Sequence, residues 1–225
     1  MADVASLPHN PIPCCADPVE TLIRARRSIR KYKPDMPPPE WIEAIVACAS
    51  MAPSPSNSQP VRFVRIRSPQ LREALRAGMV QRRDELLHRL SETGAPKRLR
   101  NLINVYFRYS EFLFHAPVIL AVGTDAGTES FSRKLVDAKI LQADTRGETD
   151  LDITVGLALE GLMLKSVSLG LATCILTAPL VFLEDMEKTI GLENIRIKCF
   201  ITVGFPDETP SPPERKPISE IFSEI

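Results

Sequence analysis

Residues Pro53-Ser54-Pro55-Ser56-Asn57-Ser58-Gln59-Pro60 cannot continue a helix. Each proline lacks the backbone donor, and each pushes the residue before it out of the helical region. The segment therefore reads as a stiff loop that presents hydroxyls and amides. It separates two regular patterns. Upstream, Trp41, Ile42, Ile45, Val46 and Ala49 recur at helical spacing and predict a helix over Glu40–Met51. Downstream, Val61, Phe63 and Val64 are the apolar members of a predicted strand over Val61–Ile66.

A second feature lies nearer the N-terminus, where Arg26-Arg27-Ser28-Ile29-Arg30-Lys31-Tyr32 follows a predicted helix. Asp17-Pro18 reads as N-cap and first helical residue, and Val19, Leu22 and Ile23 carry the helix to the cluster. A helix C-terminus favours cations but does not itself attract phosphate, so any anion here is held by side chains. Arginine's planar fork suits phosphate oxygens, and serine adds a small donor. The same run also suits a solvated face or a nucleic-acid patch.

Composition narrows these readings. The 225 residues suit one sizeable domain, and 28 Lys and Arg balance 28 Asp and Glu, so no global field points to nucleic acid. The charge is uneven, with basic residues in excess from Arg62 to Arg108 and acidic ones from Glu148 to Glu193. The basic stretch is either a solvated face or a surface that steers anions. Five cysteines without CxxC spacing argue against a disulfide framework and an ordinary metal site. No secretory pattern opens the chain, which makes the cytoplasm the default. Residues 166–183 carry no charge, but Gly170, Thr173, Thr177 and Pro179 interrupt them. They read as a helix end, a strand and a turn, with no membrane span.

Residues 1–16 read as an extended arm, 17–205 as one domain and 206–225 as a C-terminal extension. Within the domain, helices are predicted over Pro69–Glu92, with its arginines on the solvent face, and over Lys97–Phe114. Ala116–Gly123 suits a strand buried on both faces. From Asp150 to Leu164 the chain is apolar nearly all round, which implies a helix in the core or at a subunit interface. Leu171–Ile175 reads as a short strand, Leu183–Ile190 as a short helix and Ile195–Val203 as a last strand. Residues 125–147 show no clear pattern.

The arginine-serine cluster, the Pro-Ser-x-x-Asn-x-Gln-Pro loop, Gly170-Leu171-Ala172-Thr173-Cys174, and Gly204-Phe205-Pro206 with Arg215 beyond it occur in this order. Together they resemble the nitroreductase family of FMN-dependent oxidoreductases, over roughly residues 20–217. The resemblance implies an α+β fold: a mainly antiparallel central sheet surrounded by helices, in an intertwined homodimer with FMN at the interface. It places Arg26, Arg27, Ser28 and Arg30 on the FMN phosphate and ribityl chain, with Arg215 closing on the phosphate. Pro53, Ser54 and Asn57 would approach the flavin from the other subunit, although Ser54 and Asn57 also suit a turn that bonds to itself. Ile175, Leu176 and Thr177 would present backbone N–H groups near flavin N5. The C-terminal extension would pack on the partner.

The implied activity takes hydride from NADH or NADPH and reduces a small-molecule acceptor, such as a nitroaromatic or quinone, by a ping-pong mechanism. It implies no metal, no nucleic acid and no membrane, and singles out no side chain as acid or base. The segment 125–147, or the helix before it, is expected to wall the substrate site. Three departures bear on that pocket: Val61 stands where a tryptophan is common, Pro55 stiffens the loop, and Leu176-Thr177 replaces a glycine or acidic residue. Other flavin reactions remain open at this point, namely dehalogenation, double-bond reduction or flavin breakdown. So do a non-catalytic flavin sensor and nucleic-acid binding through Arg24 to Lys33. A visible flavin spectrum separates the flavin readings from the last.

Overall fold

The computed structural model describes residues 17–142, 148–184 and 186–225. The expected N-terminal arm, residues 1–16, lies outside the described residues. Four strands, β1 (Val61–Arg65), β2 (Val118–Asp125), β3 (Ala172–Leu176) and β4 (Ile195–Gly204), form an antiparallel sheet in the order β1-β2-β4-β3. Helices cover both faces, as the α+β expectation requires.

The sheet's alternation decides which helices go where. Val118, Leu120 and Val122 of β2 point to one face, with Cys199, Ile201 and Val203 of β4. There they meet helix α2 (Pro39–Ala49), through Ile42, Ile45 and Ala49, and helix α6 (Thr149–Ser168), through Val155, Ala158, Leu159, Leu162 and Met163. Ile119 and Ala121 point to the other face, against Leu75 and Met79 of α3 (Pro69–Glu92) and Phe107 of α4 (Lys97–Glu111). Because β2 is buried on both sides, its sequence is a continuous apolar run. Leu162 is completely buried, and its truncation to alanine would cost about 2–5 kcal/mol.

A β-bulge breaks the parity of β4. Val122 faces Cys199 while Gly123 faces Ile197, so Lys198 is the extra residue. Consequently Ile195 and Ile197 join the α3–α4 side of the core rather than the α6 side. Lys198 reaches Glu148 and, at 2.9 Å, Asp152 at the start of α6. Gly123 permits this approach, since a Cβ there would lie 2.1 Å from the Arg196 carbonyl oxygen.

Most predicted elements lie where expected, with shifted ends. Helix α4 stops at Glu111, and Phe112–His115 tightens into a 3-10 turn. Strand β3 runs one residue later than predicted, and the short helix α7 spans Met186–Thr189. The unpatterned stretch after β2 contains helix α5 (Phe131–Asp137), capped by Ser130; residues 143–147 lie outside the described residues.

Three of the five arginines of α3, Arg72, Arg82 and Arg83, depart from the expectation of a solvent face, while Arg76 and Arg89 are exposed. Arg72 turns inward and donates to the carbonyls of Ile66, Ala116 and Pro117 at 3.1, 2.8 and 3.1 Å. It closes the neck of the α3–α4 hairpin, where Ile66 N–H also bonds Ile119 O at 2.9 Å. Arg82 bridges Glu85 and Glu184, and Arg83 stacks 4.5 Å over the Phe107 ring. Arginine's long stem lets it cover apolar surface while its head finds acceptors, which periodicity does not register.

Candidate functional site

Helix α1 (Pro18–Ala25) is capped by Asp17, whose carboxylate accepts from Val19 N–H at 2.8 Å. At its end, the Arg27 guanidinium donates to the carbonyls of Arg24 and Arg26 at 2.5 and 2.7 Å, so part of Arg27 serves as a C-cap. The chain then turns extended and docks on β3. Ser28 forms a parallel bridge with Thr173, and Ile29 N–H bonds Thr173 O at 3.0 Å.

This bridge fixes the direction of the free strand edge. Strand β3 is the last in the sheet, and Thr173 O faces away from β4. Backbone groups two residues on share that direction, so Ile175 N–H also points out of the edge, roughly 7 Å beyond the bridge. Ile175 in the strand and Thr177 just after it are exposed, and Leu176 is buried.

A second contact carries the C-terminal segment to the same place. Lys33 N–H bonds Phe205 O at 2.9 Å, Asp207 N–H bonds Lys31 O at 3.0 Å, and Tyr32 bridges Pro206. The Tyr32 hydroxyl lies 2.6 Å from Ile29 O and 2.7 Å from Thr202 Oγ1, tying the segment to β4 beneath it. Burial pushes the Tyr32 phenol well above its ordinary range, while the Thr202 hydrogen bond pulls the other way.

Between these segments opens a cavity of about 430 Å³, lined by Arg26, Arg27, Ser28, Arg30, Pro210, Ser211, Pro213 and Arg215. The structure thus brings together five of the predicted site residues from opposite ends of the chain. Among the described residues, no carboxylate pairs with the guanidinium of Arg26, Arg30 or Arg215. Elsewhere several arginines of α3 and β1 find acidic partners or carbonyls, as Arg62 does with Asp125 at 3.2 Å and Arg72 does with three carbonyls. A concave group of unpaired guanidiniums is self-repelling until an anion enters, and its donor set fits a phosphate.

Pro53, Ser54 and Asn57 do not line that cavity. Their loop is held by its own groups. Ser54 Oγ accepts from Gln59 N–H at 2.9 Å, and Asn57 Oδ1 accepts from the Gln59 amide at 3.3 Å. Asn57 N–H bonds Ser54 O, and Ser58 N–H bonds Pro55 O, each at 3.0 Å. Ser56, Asn57 and Gln59 all have positive φ, of 51°, 53° and 46°. Such strain is uncommon in non-glycine residues and clusters at functional sites. The loop remains exposed beside Met51, which is 82% exposed.

Two residues at the site were not foreseen, Tyr32 and Glu208. Glu208 accepts the backbone N–H groups of Arg30 and Lys31, 178 and 177 positions upstream, so no local pattern marks it. Tyr32 belongs to the basic run, but only the fold reveals that its hydroxyl faces Thr202.

A model of the nitroreductase family matches residues 23–205. The chain belongs to the nitroreductase family. Among curated proteins, nitroreductase NfnB of Mycolicibacterium smegmatis is 26% identical over 92% of this chain and 90% of its own length. An iodotyrosine deiodinase of Thermotoga neapolitana is 25% identical over 89% of this chain and 94% of its own length. Among solved structures, a BluB-like flavoprotein from Clostridium difficile 630 superposes with a TM-score of 0.77 at 23% identity, covering 92% of this chain and 98% of that one. That likeness carries the nitroreductase-type fold.

Proposed function

We propose that the protein is an FMN-dependent oxidoreductase that takes hydride from NADH or NADPH and delivers it to an electron-poor acceptor such as a nitroaromatic or quinone. The observation that carries this reading is the arginine cavity lying in line with the free edge of β3. In this reading Arg26, Arg30 and Arg215 hold the FMN phosphate, with Arg27 and Ser28 beside it. Ile175 N–H, with Leu176 and Thr177 following, faces the flavin near N5. A fixed backbone dipole there stabilises charge developing on the ring and needs no reorganisation. FMN, when bound, supplies the two-electron chemistry that side chains lack.

The rest of the site is drawn from a second copy. Helix α6 buries one side in the core yet leaves Ile153 and Leu157 exposed at 58% and 47%, and α1 leaves Val19 and Ile23 exposed at 56% and 50%. These apolar positions suit a homodimer interface that brings Pro53, Ser54 and Asn57 of one protomer to the flavin of its partner. The extension 206–225, whose Ile218, Ile221 and Phe222 are exposed, suits packing on that partner. Among the described residues no helix is long and apolar enough to cross a membrane. We place the enzyme in the cytoplasm, where its nicotinamide donors are made.

The acceptor wall is assigned to α4. Leu99, Leu102, Tyr106 and Tyr109 recur at helical spacing and are all exposed, a stripe that suits a flat aromatic acceptor. The test is direct. Purified protein should be yellow, with a flavin absorption spectrum, and without oxygen should turn over NADH or NADPH beyond one equivalent of flavin only when an acceptor such as a nitroaromatic or quinone is supplied. Colourless protein that takes up no FMN overturns the reading. Because a Thermotoga relative is named a deiodinase, an iodinated tyrosine belongs in the acceptor panel.

A further inference from the structure

Glu208 has a role that the motifs do not assign. One carboxylate oxygen accepts both Arg30 N–H, at 2.5 Å, and Lys31 N–H, at 3.1 Å. It does so from the C-terminal segment, two residues after Pro206 bridges Tyr32 and seven before Arg215. Upstream of Glu208 the segment is held by backbone bonds at Phe205 and Asp207. Among the described residues, no backbone hydrogen bond ties residues 209–216 to the rest of the fold. Glu208 is thus the last fixed point before Pro210, Ser211, Pro213 and Arg215 line the arginine cavity. The prolines between make that stretch stiff, so the direction set at Glu208 is carried to Arg215.

The position of a carboxylate here needs a reason. An acidic group beside a cavity built for an anion weakens that cavity unless its charge is occupied elsewhere. Glu208 is turned onto two backbone donors, and Arg30 and Arg215 keep their guanidiniums free of it. Its oxygen also satisfies two N–H groups that the extended clamp segment would otherwise leave to solvent.

We propose that Glu208 is the positioning residue of the phosphate site: it ties the C-terminal segment to the backbone of Arg30 and Lys31 and so places Arg215 against the cavity. This rests on the reading of that cavity as the FMN phosphate site.

The geometry distinguishes two conservative substitutions. Both bonds go to a single oxygen, so Glu208→Gln keeps them through its amide carbonyl. Glu208→Asp is one methylene shorter and loses the reach. The experiment measures dissociation constants of FMN and riboflavin for the full-length protein by flavin fluorescence. The variants are Glu208→Ala, Glu208→Asp, Glu208→Gln and Arg215→Ala. The expected result is a loss of about tenfold or more in FMN affinity for the Ala and Asp variants, approaching that of Arg215→Ala. Riboflavin affinity should change less than about threefold, and Glu208→Gln should bind FMN as the unmodified protein does.

The outcomes separate the two claims. If Arg215→Ala binds FMN normally, the phosphate reading fails and the role of Glu208 fails with it. If Arg215→Ala loses FMN but Glu208→Ala and Glu208→Asp do not, only the positioning role is overturned. A Glu208→Gln variant as weak as Glu208→Ala, or equal losses of FMN and riboflavin, overturns it too. Glu208 is on the surface, and the Asp variant supplies the comparison if the Ala variant folds poorly.

Discussion

The hydroxyl of Tyr32 and that of Thr202 lie 2.7 Å apart, joining the segment after the arginine cluster to the C-terminal part of β4. Removing the phenol oxygen leaves Ile29 O and Thr202 without that partner. Tyr32→Phe should therefore destabilise the fold by about 1–3 kcal/mol, measured by urea denaturation.

The same hydroxyl gives a pH dependence. Desolvation raises the Tyr32 pKa above its unfolded value, so the folded state holds the proton more tightly. Its contribution is fully present below the unfolded tyrosine value of about 10 and is lost as pH climbs above it. Stability should fall above that point at up to about 1.4 kcal/mol per pH unit from this group. Tyr32→Phe should remove that part of the decline in an alkaline titration of stability.

Arg26→Ala should weaken FMN about tenfold to a hundredfold while leaving riboflavin nearly unchanged. Because Arg26 and Arg215 face one cavity, the double variant should lose less than the sum of the single losses. Equal losses for FMN and riboflavin would show these arginines to be structural.

The loop predicts the opposite pattern. Ser54→Ala removes the acceptor of Gln59 N–H and loosens three left-handed residues. FMN and riboflavin should weaken by similar factors, since the loop is proposed to meet the ring. Folding stability should drop by only about 1 kcal/mol, because the loop is exposed.

Leu157→Glu puts charge on the exposed side of α6 without touching its core face. Sedimentation velocity should show dissociation of a dimer, with FMN lost in parallel. A monomer that keeps stoichiometric FMN would rule out a site shared between subunits.

What could be read in the chain before folding was whatever repeats locally. Pro18 and Pro69 each open a helix in the structure as read, and the unbroken apolar run of β2 announced its burial on both faces. The arginine cluster and Arg215 could be named because a family order links them. Partners distant in sequence stayed hidden. Glu208 looks like any acidic residue in a proline-rich tail, and Arg72 like any arginine on a helix. What each does depends on carbonyl and amide groups that only the folded chain places nearby. Lys198 shows the limit most plainly: Ile195, Ile197 and Cys199 alternate evenly with Arg196 and Lys198, so the bulge that changes the parity of β4 leaves no mark in the pattern.

The Arg72 neck also gives the protein a seam. The chain leaves the sheet after Ile66 and re-enters it before Val118, and one guanidinium binds the carbonyls on both sides of that gap. Everything beyond is a cassette whose two ends are already stapled together. A change of length or sequence in the α3–α4 hairpin is thereby confined to the wall proposed for the acceptor. The strand register and the arginine cavity proposed for the cofactor phosphate, at the other edge of the sheet beside β3, need not shift with it.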